Sequence, residues 1–133
     1  MPERKTIEQA RKAKRQGKSP STQAGAFVHE EIEHVREGKH GARSTKQAIA
    51  IGLSKARRAG VDVKPPRRGQ ASEETRKSAE RDLRRGHQGM QAPSPSRSRS
   101  ARQALSHEGR RAASHEALSR QAKSAARRRR EAR

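Results

Sequence analysis

The chain has 133 residues, of which 27% are hydrophobic and 36% charged, and its 34 Lys/Arg against 14 Asp/Glu leave a formal net charge of +20. So little apolar side chain beside so much charge permits one small folded unit and places the remainder toward the disordered class. The lack of cysteine excludes disulfide frameworks, cysteine-ligated zinc and thiol catalysis, and the single aromatic residue excludes base stacking as the main mode of binding single strands.

Residues 1–20 read as a basic N-terminal arm. Met1-Pro2-Glu3-Arg4-Lys5 lacks the apolar stretch of a signal peptide, and no later run approaches membrane-spanning length, so an intracellular, soluble protein is expected. The segment from Thr6 to Gln16 favours helix, but Ile7 is its one large apolar residue. Its cations Arg11, Lys12, Lys14 and Arg15 surround the wheel, which predicts a flexible arm with nascent helicity. Gly17-Lys18-Ser19-Pro20 breaks the chain. Ser21 or Thr22 is placed to cap a second helix running to about Glu37, on which Ala24, Val28, Ile32 and Val35 share a stripe with Phe27 on its flank. Glu30, Glu33 and Glu37 fall on the opposite side, a solvent face that would repel phosphate.

After a glycine-hinged turn from Gly38 to Arg43, residues 44–60 give the most complete helix pattern in the chain. Ser44 is its cap, Gln47 completes a capping box and Gly60 supplies the stop. Ile49, Gly52, Leu53 and Ala56 form a narrow apolar stripe, while Lys46, Gln47, Ala50, Ser54, Arg57 and Arg58 occupy the other face. Amides and cations in that arrangement suit the base edges and phosphates of a major groove. The connection between the two helices exceeds the three or four residues of a helix-turn-helix, so the expectation is a helical hairpin with only that potential. Val61 and Val63 are expected to cover the hairpin before Lys64-Pro65-Pro66 ends it. Nine of the fifteen apolar residues larger than alanine lie within residues 27–63, which locates the core.

Residues 66–100 read as a basic segment and a Ser/Pro/Arg linker. A helix over 72–86 is predicted from the Ser72 cap with Glu73 and Glu74 at the positive end of the dipole, and its Leu83 is expected to be exposed. In the Ala/Arg-rich tail, residues 101–133, Leu105 and Leu118 point to opposite sides and Gly109 intervenes, so no stripe exists for docking. The fold class is therefore all-α: a small helical hairpin module at about residues 21–63, within a domain of residues 21–65, flanked by largely disordered or transiently helical basic tails. So small a core implies marginal stability, or a homodimer or protein partner acting through residues 27–63.

Lys39-His40-Gly41, then Lys46-Gln47-Ala48-Ile49-Ala50-Ile51, the small Gly52, Leu53-Ser54 and Ala56-Arg57-Arg58-Ala59-Gly60 resemble the signature of small basic bacterial proteins grouped as a domain of unknown function. The resemblance covers about residues 21–65. It implies a bacterial origin and supplies no activity.

Net charge is +5 over residues 1–23, +2 over 24–63 and +13 over 64–133. A near-neutral centre with cationic arms suits a polyanion, because Lys/Arg contacts to phosphate release condensed counterions. The expected function is non-enzymatic and predominantly sequence-nonspecific DNA binding through phosphates, as a nucleoid-associated protein of the bacterial cytoplasm. An RNA- or ribosome-associated protein and a protein-interaction adaptor tethered by its arms are the alternatives. Lys12, Lys14, Arg15, Arg110, Arg111, Arg127, Arg128, Arg129 and Arg130 are expected to supply affinity, and Lys46, Gln47, Arg57 and Arg58 to orient the module. No catalytic set, cofactor or metal site is expected. His29 and His34 are one residue too far apart for a zinc-protease helix and point about 140° apart, so they and the neighbouring glutamates read as surface residues.

Overall fold

Serine side chains open four helices. Ser19, Ser44, Ser72 and Ser114 each accept the backbone N–H three residues on, from Thr22, Gln47, Thr75 and Ala117, at 3.1–3.3 Å. In the computed structural model, which describes residues 3–89 and 95–132, the helices are α1 (Arg4–Arg15), α2 (Pro20–Arg36), α3 (Thr45–Arg58), α4 (Glu73–His87), α5 (Pro95–Ser106) and α6 (His115–Glu131). A 3-10 turn, Arg111–Ala113, precedes α6, and the described residues contain no strand. Residues 90–94 of the expected linker lie outside them. The cap of α2 is Ser19 and not Ser21 or Thr22, because Pro20 fits the first helical position, where no N–H is needed. At the end of α3, Gly60 takes a φ of +100° while the Val61 N–H returns to the Ala56 carbonyl at 2.9 Å, a turn that glycine adopts without steric cost.

Helix α2 packs against both α1 and α3, and α4 packs against α3. Two apolar clusters result. One joins Ile32, Val35, Ala42 and Ala48 to Ala112 and Ala113, with Val28 and Leu118 at its edge. The other joins Phe27, Ala24, Ala56 and Val61 to Ala10, with Ile7, Leu53 and Val63 alongside. Both valines after Gly60 thus cover the hairpin as expected.

The flanks differ from their expectation. Instead of standing apart as flexible or transient segments, α1 supplies Ala10 to one cluster and the C-terminal segment supplies Ala112 and Ala113 to the other. Alanine explains the difference. It contributes no large apolar signal to a sequence wheel, yet lets backbones approach closely enough for dense packing. The same principle corrects the stripe on α3. Its buried line is Thr45, Ala48, Gly52 and Ala56, whereas Ile49 and Leu53 are half-buried. Gly52 sits directly on the α2 backbone: a Cβ there would lie 2.7 Å from Val28 Cα. Helix α4 likewise buries Ala79 and leaves Leu83 half-buried, not exposed.

The glutamates of α2 are not all outward. Glu30 is buried and accepts the Glu3 N–H at 2.6 Å and the Thr6 hydroxyl at 3.1 Å, which stitches the start of α1 to α2. Glu31 has no exposed surface and pairs with Lys55 of α3. Burying a carboxylate requires such partners. Among the described residues no helix is long and apolar enough to cross a membrane.

Candidate nucleic-acid interface

The start of α3 is built by local chemistry and then covered by the distant tail. Ser44 caps the Gln47 N–H, and the Gln47 carbonyl oxygen accepts the Arg43 N–H at 2.6 Å, one residue before the cap. The C-terminal segment crosses this end of the molecule. The Gly41 N–H donates to the Leu105 carbonyl at 2.9 Å and the Ala42 N–H to the Gly109 carbonyl at 3.0 Å. The Thr45 hydroxyl donates to the Ala112 carbonyl and Arg36 Nε to the Ala113 carbonyl at 3.0 Å.

That strap lays the 3-10 turn and the first half of α6 beside the start of α3. Arg43, Lys46, Arg111 and Arg120 then border one open groove of about 440 Å³, whose lining contains no carboxylate. All four are exposed, and none forms an ion pair among the described residues. Ala117, Arg120, Gln121 and Ser124 supply the α6 wall at helical spacing. The first turn of α3 carries no acid, so its positive dipole end adds to the field of the four cations.

A second concavity, about 330 Å³ between α1 and α2, has the opposite character, with Glu3, Glu30, Glu33 and Glu37 beside Lys5 and Lys39. A hydrogen bond from His34, followed by the charge of Lys39, holds the Glu3 carboxyl below its ordinary range against the opposing effect of desolvation. This face does not suit phosphate.

The other expected site residues are dispersed. Lys12, Lys14 and Arg15 are exposed on the last turn of α1, and Arg127, Arg128, Arg129 and Arg130 are exposed at the end of α6. Arg110 reaches back to the Arg36 carbonyl at 3.4 Å. Arg57 is buried and donates through Nε to the Val63 carbonyl at 3.0 Å and through Nη2 to the Lys64 carbonyl at 3.1 Å. Burial lowers its pKa from the usual guanidinium value, with the Asp82 charge opposing. Arg58 Nε lies 4.0 Å from Asp82 of α4, whose other oxygen accepts the Ser54 hydroxyl at 2.5 Å. The outer face of α3 thus carries a docked α4 over its second half, and Arg57 and Arg58 serve contacts within the chain. Gln47, expected as a base reader, has its carbonyl oxygen committed to the cap.

Sequence reasoning missed Arg43 and Arg120. Arg43 had a local signal, standing just before a capping serine; Arg120 had none, because only the strap brings α6 to this place.

Neither the curated proteins nor the solved structures provide a match to this chain. A Family of unknown function (DUF6496) is matched over residues 3–68, a stretch that takes in α1 as well as the α2–α3 hairpin, in keeping with the packing of α1 on α2.

Proposed function

We propose that this protein is a non-enzymatic, predominantly sequence-nonspecific nucleic-acid binder that acts on duplex DNA through phosphate contacts, in the manner of a nucleoid-associated protein. The observation that carries the reading is the carboxylate-free groove of Arg43, Lys46, Arg111 and Arg120 in a chain of net charge +20. Convergent cations without a carboxylate partner lower the free energy of a phosphate placed among them and release its counterions. The groove orients the folded unit on the backbone. Lys12, Lys14, Arg15 and the block Arg127, Arg128, Arg129 and Arg130 add affinity without fixing a register. DNA is favoured over single-stranded RNA because sequence readers of RNA loops stack unpaired bases on aromatic side chains, and Phe27, the one aromatic residue, is buried.

The test is the salt dependence of duplex affinity, read by fluorescence anisotropy between about 50 and 200 mM salt. Each phosphate contact contributes about −0.9 to the slope of log affinity against log salt. Replacing Arg43, Lys46, Arg111 and Arg120 together by Gln is expected to make that slope shallower by about 3–4. A flat salt response, or a groove variant indistinguishable from the parent, would refute the assignment. Structured RNA that displaces duplex DNA at equal salt would transfer the reading to RNA.

A further inference from the structure

We propose that Glu31, His34 and His40 form a binding site for one zinc-class divalent cation that ties α2 to the loop leading into α3. The site is distinct from the cationic groove and stands on its own geometry. Glu31 and His34 share one face of α2 at a spacing of three residues, and the turn after α2 brings His40 over them. Their ligand atoms all lie within 4.8 Å of one another.

The hydrogen-bonding pattern points to a cation. Glu31 has no exposed surface; its Oε1 pairs with Lys55, while its buried Oε2 receives no hydrogen bond. His40 Nε2 stands 3.2 Å from that oxygen, and His40 Nδ1 stands 2.9 Å from the Gly41 carbonyl. A carbonyl only accepts, so Nδ1 is the donor to Gly41 and Nε2 is the ring nitrogen on the side of the buried carboxylate. A carboxylate oxygen with no exposed surface and no hydrogen bond, beside two imidazoles whose ligand atoms lie within 4.8 Å, is a place where a bound cation would satisfy all three groups. His34 repeats the arrangement: Nε2 is 3.4 Å from Glu3 Oε1, and Nδ1 is turned toward Glu31 Oε1 at 3.7 Å. Each imidazole is therefore held at its far nitrogen by an oxygen acceptor and presents its near nitrogen to Glu31, which is how outer-shell groups orient histidine ligands.

The donor set selects the class of ion. Two imidazoles and one carboxylate suit zinc and its neighbours, whereas magnesium and calcium prefer oxygen alone. Zinc bonds of about 2.0–2.2 Å in tetrahedral geometry separate ligand atoms by roughly 3.3 Å. The His40 and Glu31 atoms already stand at 3.2 Å, and His34 has a short swing to make. Lys55 keeps Oε1 and leaves Oε2 to the ion. Three protein ligands leave a position for water. A core built so largely from alanine and without disulfides gains stability from an ion that binds only the folded chain. The same ion would fix the loop that ends in Arg43.

The full-length protein, stripped with a chelator, is titrated with Zn²⁺ and Mg²⁺ by calorimetry, with thermal melting in parallel. One high-affinity Zn²⁺ per chain and a Tm that rises with Zn²⁺ but not with Mg²⁺ are expected. His40→Gln should weaken the site by more than about 100-fold and Glu3→Gln by about 10–100-fold, the range for an outer-shell partner. His115→Gln, at an exposed histidine of α6, should leave it unchanged. Co²⁺ absorption in the unsubstituted protein, with visible bands of imidazole and carboxylate coordination, keeps the test decisive if His40→Gln does not fold. Failure of the unsubstituted protein to bind Zn²⁺ stoichiometrically, an unmoved Tm, or affinity lost in His115→Gln but kept in His40→Gln would each overturn the proposal.

Discussion

Replacing Gly52 by alanine tests whether the α2–α3 seam is as close as the structure makes it. In an open helical position the change is favourable by about 1 kcal/mol, since alanine is the better helix former. At Gly52 the added Cβ would lie 2.7 Å from Val28 Cα, 3.0 Å from Val28 N and 3.1 Å from Val28 Cγ2. Ordinary contact begins near 3.4 Å, so α3 has to retreat by about 0.7 Å, and the nearest obstacles are backbone atoms that no rotamer change removes. A gap of roughly 0.5–1 Å forfeits a quarter to a half of the dispersion attraction along the seam, and overpacking costs about 1–3 kcal/mol. With backbone as the obstacle the upper part of that range applies, which leaves a net loss of about 1–2 kcal/mol. Gly25 is the internal control: it is an exposed residue of α2 with nothing within 4 Å of an added Cβ, and Gly25→Ala should gain about 0.5–1 kcal/mol. The two variants should melt roughly 5–15 °C apart by far-UV circular dichroism, at about 3–5 °C per kcal/mol for a chain of this size. A Gly52→Ala protein as stable as Gly25→Ala would refute the close crossing.

Arg57→Met removes two charged hydrogen bonds to the carbonyls of Val63 and Lys64 and should lower stability by about 1.5–3 kcal/mol in urea denaturation, with the DNA affinity of the folded protein unchanged. Loss of affinity at full stability would return Arg57 to the binding surface. Ser44→Ala should cost about 1 kcal/mol through the lost cap. Gln47→Ala should cost about 0.5–1.5 kcal/mol and leave the relative affinity for adenine-rich and guanine-rich duplexes unaltered, because its carbonyl oxygen serves Arg43. A changed base preference in Gln47→Ala would contradict that role.

The features legible in the sequence are those settled within a few residues. Ser44, Ser72 and Gly60 mark helix ends because a cap or a left-handed turn depends on hydrogen bonds spanning about one helical turn. The core around Phe27, Ile32, Val35 and Val61 was legible because large apolar side chains gather in one stretch. Half of the cationic groove was visible in the same way, as Lys46 beside a cap and Arg111 in a basic tail.

Sequence by itself determined an all-helical chain with a hairpin core and a large positive charge, since periodicity, capping and composition are local or additive properties. Tertiary structure alone decided which small and charged residues meet. Ala10 and Ala112 enter the core, Glu31 disappears beneath Lys55 and His40, and Arg57 turns inward while Arg120 comes to Lys46. Such partnerships join residues tens of positions apart. Alanine and arginine carry no periodic mark of their fate, because a methyl group packs wherever backbones come close and a guanidinium is stable either in water or on a buried carbonyl.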